Sequence, residues 1–464
     1  MSHFDLLRVP FLGRLLQWRW GRLLFQLLLG LVLLLIIYDG FTGPQLAPAN
    51  NATVLAWVHY RGIVILLLLM AGNFFCMACP FTLPRTLARR LSIRGIRWPA
   101  VLRNKWIAIG SIFLIFWLYE WLDLWASPLL TAWVAVAYIV AAFLLESIFS
   151  ESAFCKYVCP LGTFNYVYSL ASPLQIQERD AQVCRMCEGK ECVNGSLATL
   201  GCGTELYVPA MRSNMDCTFC LDCARACPYN NVALSTRSTG TELTQSPQAP
   251  RWDRALLLTS LGFFGLTNAF GMVPPVYALQ TWLGDTLGLH SDAVRLLLIF
   301  GIGNLLLPTG LMLLTTRISA NLSGAKDVKL IADSYATGFI PIGMAIWLAH
   351  YGFHLAIGGA AIIPVFQSFL LDHGITILGT QPNWALSFLL PQNWIFFLQV
   401  VSILVGFIVS LFVLSKIALK RRPDPQAAFR ELLPWALIIV LMAIAALSIF
   451  NLPMEMRGTR MLGV

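Results

Sequence analysis

Twelve cysteines in 464 residues are spaced too regularly to be incidental, and their chemistry is read first. Cys217-x-x-Cys220-x-x-Cys223-x-x-x-Cys227-Pro228 has the ligand spacing of a cubane iron–sulfur site. Three thiolates on one tight loop cap three irons, while the fourth, turned away by the proline, reaches a second cluster. A second set lies upstream at Cys184, Cys187, Cys192 and Cys202, with Glu188-Gly189-Lys190-Glu191 filling a gap that the standard spacing keeps to two residues. Crossed ligation predicts one [4Fe-4S] cluster on Cys184, Cys187, Cys192 and Cys227, and another on Cys217, Cys220, Cys223 and Cys202. Structural zinc also uses paired Cys-x-x-Cys, but it does not explain the run that closes in Cys-Pro.

Four cysteines remain. Cys76-Met77-Ala78-Cys79-Pro80 and Cys155-Lys156-Tyr157-Val158-Cys159-Pro160 each follow a long apolar run, so a helical bundle can gather four thiolates at one end. A third cluster is expected there, with a dithiol switch, a copper or zinc site and two unlinked reduced pairs left open. His350 and His354, four residues apart, share one helix face. They cannot flank a single haem, but each can take a partner from elsewhere, which leaves haem b, copper or a quinone headgroup as ligands. Against that stands an interfacial aromatic belt. Glu120, Asp123, Glu146 and Asp333 lie in or beside apolar runs, where proton uptake competes with interfacial solvation as an explanation.

The elements that must position these residues follow from hydropathy. The chain is 58% hydrophobic and 12% charged, about half the charge of a soluble domain (roughly 25%), so most of it belongs in lipid. Nine runs approach the about 20 apolar residues of a spanning helix: Leu23–Tyr38, Val54–Phe75, Trp106–Trp125, Leu130–Phe149, Ala255–Val273, Val294–Leu314, Ala336–Phe353, Trp394–Leu414 and Leu433–Phe450. The first reads as an anchor rather than a cleaved leader, and 357–371 is too short and Pro-interrupted to cross. Basic residues gather in alternate connections, from Arg8 to Arg22, from Arg85 to Lys105, from Arg317 to Lys329 and from Lys416 to Arg430. The net charge of +9 is therefore topological and calls for no nucleic-acid partner. The N-terminus and the cysteine-rich segment are expected in the cytoplasm and the C-terminus outside, although Arg457 and Arg460 break the pattern. The expected fold is an all-α polytopic bundle of about nine transmembrane helices with a cytoplasmic α+β insert holding two clusters. Its parts are 1–149, the insert 150–252 and 253–464. The Ser/Thr/Pro-rich end of the insert, from Ser235 to Pro250, reads as a flexible tether. Gly262/Gly265 and Gly301/Gly303 read as close helix packing.

Cys-Pro pairs after paired spans, followed by a two-cluster ferredoxin-like segment, resemble the membrane polyferredoxins: the NapH-type quinol dehydrogenases, the NosR proteins and the CcoG-like copper reductases. The likeness covers about Phe74–Asn231. It departs from NosR in lacking a large flavin domain, from CcoG in lacking an immunoglobulin-like domain, and from NapH in carrying five further spans. The resemblance implies a multi-pass protein of the bacterial inner membrane, an oxidoreductase component that passes electrons between the clusters and the quinone pool, a haem, or a periplasmic redox protein. It would work in a multi-subunit or transient complex. A cupric reductase or assembly factor and a redox sensor are the rival readings.

Overall fold

The computed structural model describes residues 4–83, 95–196 and 199–454; His3, Arg85, Arg89, Arg90, Arg94, Arg457 and Arg460 lie outside the described residues. Helices dominate it, and the sheet among the described residues has two strands. Among the described residues seven helices are long and apolar enough to cross a membrane: Gly21–Thr42, Asn51–Ala71, Pro128–Ile148, Asp292–Ser323, Val328–Gly358, Asn393–Arg421 and Pro425–Phe450. Trp252–Phe270 and Pro274–Leu287, bent by 86° at their break, add an eighth if they form one span. These are the helices of a multi-pass membrane protein.

The expectation of nine spans is thereby corrected. The third expected span is a helix of only 16 residues, Trp106–Trp121, about 24 Å long against a hydrocarbon core of about 30 Å. Leu122–Trp125 form a turn in which Asp123 takes a φ of 44°. The apolar run continues on both sides of Asp123, so its length alone does not mark the helix end. Ile362–Asp372, at 11 residues, is shorter still.

Contacts divide the chain into two compact units, one of Met1–Leu34, Leu66–Ala108 and Ala135–Glu242, the other of Leu35–Ile65, Ile109–Val134 and Leu243–Val464. In the first, β1 (Leu174–Glu178) and β2 (Val232–Thr236) pair antiparallel, from Leu174 opposite Thr236 to Glu178 opposite Val232. The open edge of β2 is closed by the start of the chain. Thr236 N–H donates to the Phe4 carbonyl at 2.8 Å, Asp5 bridges Ser235, and Asp5 pairs with Arg179 at 2.8 Å. Leu7, Leu16, Met77, Ile176, Val208 and Leu234 form a core with Phe219, Leu221, Cys217 and Cys223. Each large apolar side chain so buried contributes about 1.5–3 kcal/mol. The cysteine loop is thus part of the core that holds the unit together.

The stretch expected to be a tether is tied down over its first part. Ser235 and Thr236 belong to β2. Arg237 pairs with Glu242 at 2.6 Å and donates to the carbonyls of Ser169, Leu170 and Ser172, with both charged side chains almost completely buried. Polar composition conceals this because each charge is satisfied by a partner rather than by water.

In the second unit, Phe339–Gly358 packs on Trp252–Phe270 and Gln392–Arg421, and Pro425–Phe450 on Gln392–Arg421 and Leu307–Ser323. Small residues allow the approach. A Cβ on Gly265 would lie 2.9 Å from Ile346, and one on Gly303 2.6 Å from the Thr267 hydroxyl. Charges at the helix ends are paired: Arg254 with Asp333 at 2.6 Å, and Arg421 and Arg422 with the fully buried Glu431 at 2.6 and 2.9 Å. Asp333 also accepts the Arg251 N–H at 2.8 Å, so it serves as a structural counter-ion.

Replacing Arg237 by Ala strands the Glu242 carboxylate in the interior, a defect that costs about 3–5 kcal/mol when a buried pair is broken. The expected outcome is a large fall in the thermal midpoint of detergent-solubilised protein, with Arg237→Lys intermediate.

Candidate functional site

All twelve cysteines lie in the first unit, and none is in a disulfide. They fall into three neighbourhoods of four. Cys184, Cys187, Cys192 and Cys227 line a small, partly open cleft together with Tyr207, Tyr229 and Asn231. Asp180 caps the short helix Ala181–Arg185 that carries Cys184. Asn231 serves two sulfurs: its backbone N–H donates to Cys227 Sγ at 3.4 Å and its side-chain amide to Cys184 Sγ at 3.2 Å.

Cys217, Cys220 and Cys223 are buried, and Cys202 is an electrostatic neighbour of all three. The loop turns tightly because Asp216, Phe219 and Leu221 adopt left-handed backbone, with φ of 65°, 51° and 59°. That conformation costs a non-glycine residue roughly 1–2 kcal/mol. Right- and left-handed residues in alternation form the N–H-lined concavities seen at iron–sulfur sites. The N–H of Phe219 lies on Cys217 and that of Asp222 on Cys220, while Leu206 N–H donates to Cys202 Sγ at 3.4 Å. Lys105 and Lys156 brace the loop from behind: Lys105 pairs with Asp216 and donates to the Lys156 carbonyl, and Lys156 donates to that of Thr204.

Cys76 and Cys79 end the helix Phe74–Ala78, and Cys155 and Cys159 lie in the turn Phe154–Val158 and at the head of Pro160–Tyr168. Each sulfur interacts electrostatically with others of the four. Gly162 N–H donates to Cys159 Sγ at 3.2 Å, and the Asn165 amide to Cys76 Sγ at 3.4 Å. The hydroxyls of Tyr138 and Tyr166, electrostatic neighbours of these sulfurs, are buried with no hydrogen-bond partner. Such orphaned donors cost about 1–3 kcal/mol each and fit a group that carries acceptor atoms. Asn73 joins this neighbourhood to the previous one, donating to the Cys217 carbonyl at 2.9 Å while its neighbour Phe74 meets Phe219 edge-on.

Burial governs the thiols. It pushes Cys76 to about 11 and Cys159 to about 12, and lifts Cys79, Cys155, Cys217 and Cys223 well above the ordinary range. Cys220 rises to about 11 through burial and the adjacent Asp222, partly offset by Arg22. Burial also works to raise Asp222, but Arg22 and Arg225 outweigh it and hold the carboxyl below its usual value. Among the described residues no three His, Cys, Asp or Glu side chains converge tightly enough to ligate one metal ion. A cubane makes no such demand, since each of its irons takes a single thiolate and the four ligands stand around its perimeter.

Arg22, Asn165, Asn231 and Lys105 were not singled out from sequence as parts of these sites. Arg22 entered only as one of the charges that orient the bundle, although a charge one residue inside a span is itself a signal.

The histidines lie in the second unit. His350 and His354 are buried, with ring centroids 5.4 Å apart, and His350 Nε2 sits 3.1 Å from Met272 Sδ. His59 has both nitrogens on backbone carbonyls, and His373 has one on Phe369 and one on Tyr38. Arg61 lies among the rings of Trp57, Tyr119 and Tyr351 at 4.6, 4.1 and 5.0 Å.

Because metal ligation requires thiolates, uptake of iron by these buried thiols releases protons. Reconstitution of apoprotein with ferrous iron and sulfide should therefore accelerate steadily between about pH 6.5 and 8.5, followed by visible absorbance. A flat profile would contradict the raised thiol values.

No family model matches the chain, and no solved structure does. It is 24% identical over 198 residues to an uncharacterised protein of Methanocaldococcus jannaschii, covering 41% of this chain and 75% of that one. A second uncharacterised protein of that organism is 26% identical over 193 residues, 37% and 76% of the two chains. Over 91 residues the chain is 34% identical to YccM of Escherichia coli, which is named as a candidate electron transport protein, covering 19% of this chain and 23% of YccM. The chain is thus a mostly helical, multi-pass membrane protein that resembles, over part of its length, one named for electron transport.

Proposed function

We propose that the chain is an integral-membrane iron–sulfur electron carrier of the polyferredoxin type, working in a bacterial inner membrane with its N-terminus and the 150–252 insert in the cytoplasm and its C-terminus outside. Cys184, Cys187, Cys192 and Cys227 would hold one [4Fe-4S] cluster, Cys202, Cys217, Cys220 and Cys223 a second, and Cys76, Cys79, Cys155 and Cys159 a third. The observation that carries this reading is that three sulfurs in every set have an N–H on them, from Asn231 and Val208 in the first, from Leu206, Phe219 and Asp222 in the second, and from Asn165, Phe81 and Gly162 in the third.

Bound there, such clusters supply one-electron chemistry at potentials set by net charge, hydrogen bonds to sulfur and solvent exposure. The side chains do the rest. The amides stabilise thiolate sulfur, Phe219 and Leu221 keep water from the middle set, and the cleft beside Tyr207 and Tyr229 leaves the first set partly open. This gradation from open to buried suits a carrier that meets an aqueous partner at one end and the bilayer at the other. A quinone or an outer-face redox protein is the partner the membrane setting favours.

A second reading, copper handling, is favoured by the soft pairing of His350 Nε2 with Met272 Sδ. It predicts that purified protein retains cuprous or silver ion, and that His350→Ala with Met272→Leu abolishes retention; retention unchanged by the substitutions rejects it.

For the carrier, metal analysis of anaerobically purified protein should give about twelve irons and twelve acid-labile sulfides per chain, the sum of three cubanes. Cys155→Ser with Cys159→Ser should lower both by about four. Zinc in place of iron would overturn the assignment.

A further inference from the structure

We infer that Arg22 is a positioning residue that couples two of the cysteine sets electrostatically, holding one positive charge between the loop of Cys217–Cys223 and the turn of Cys76–Cys79. This rests on the assignment of the third set made above and concerns what governs its potential.

The geometry is specific. All three guanidinium nitrogens are engaged, and each binds a different piece of the two sites. Nη1 donates to Asp222 Oδ2 at 2.8 Å, between Cys220 and Cys223 in sequence. Nε donates to the Met77 carbonyl at 3.3 Å, next to Cys76, and Nη2 to the Thr82 hydroxyl at 3.1 Å. Thr82 in turn donates to the Cys79 carbonyl at 2.8 Å. Gln26, one helical turn on, reaches that carbonyl and the same hydroxyl, so the helix beginning at Gly21 presents two side chains to the turn.

The charge itself acts on Cys220 of one set and on Cys79 and Cys155 of the other. Asp222 does not cancel it, because the carboxylate is shared with Arg225 at 2.7 Å. The buried Glu146 acts on Cys155 and Cys159 of the same set with the opposite sign. None of the causes that act on Cys184 or Cys192 is Arg22. A cation so placed favours the reduced, more negative state of both neighbouring sites and leaves the set of Cys184, Cys187, Cys192 and Cys227 alone, since net charge near a cluster sets its potential. A lysine cannot replace it. An ammonium is a point charge without the planar fork that meets three acceptors at once.

The test is a redox titration followed by electron paramagnetic resonance on full-length protein in detergent, with iron counted in every sample. Arg22→Gln should keep its iron and shift two of the three cluster signals together to lower potential, while the signal lost in Cys184→Ser stays in place. Glu146→Gln should move one of those two, the one lost in Cys155→Ser, in the opposite direction. Unmoved potentials in Arg22→Gln, or an equal shift of all three signals, would overturn the inference. Should Arg22→Gln fail to assemble, Arg22→Lys decides: an ammonium held by only one of the two sites must move their potentials apart, and native potentials would refute the coupling. About eight irons in the native chain, meaning two cubanes, would instead reject the third assignment and the coupling with it, whereas about twelve with unmoved potentials rejects the role of Arg22 alone.

Discussion

Sulfur buried among apolar side chains is the constraint from which most of the first unit follows. Ionised sulfur in a low-dielectric setting is expensive unless donors or cations face it. The unit meets that requirement with amides rather than with many cations. Asn231 and Asn165 turn side chains onto sulfur, and the left-handed backbone at Phe219 and Leu221 bends the loop so that main-chain N–H groups lie on Cys217 and Cys220. Amides do this without adding net charge, while Arg22 and Arg225 bring guanidinium charge to Asp222 beside Cys220 and Cys223.

The strain in the loop is carried by the core around it. Phe219 and Leu221 are the side chains of left-handed residues and also two of the most deeply buried in the unit. Packing of Phe219 against Phe74, and the hold of Asn73 on the Cys217 carbonyl, make the unfavourable backbone part of the same contacts that bring the third set close. Local strain persisting only where surrounding structure overdetermines it is the common signature of a functional loop.

The second unit solves a different problem. Its helices bury polar groups such as Glu431, Asp333, His350 and Arg61, and most are met by a specific neighbour: Arg421 and Arg422 for Glu431, Arg254 for Asp333, three aromatic faces for Arg61. Such pairs are weak evidence for stability as such. They do fix which helix faces meet, because a slip of one residue would strand a charge in an apolar setting.

What the amino-acid sequence determined by itself was local. Apolar run length announced a multi-pass bundle, and the spacing of cysteines over a few residues announced where ligands of one type would gather, because both properties act at short range along the chain. Helix ends were less legible: Trp106–Trp121 stops at a turn around Asp123 inside a longer apolar run, and the polar stretch after Ser235 hid a strand end and a buried ion pair. Only the tertiary structure decided which side chains from far along the chain would serve those cysteines. Arg22 meets Asp222 across 200 positions, Asn165 meets Cys76 across 89, and His350 meets Met272 across 78. Distances of that kind are set by packing of apolar faces, and no local pattern of residues encodes which faces will meet.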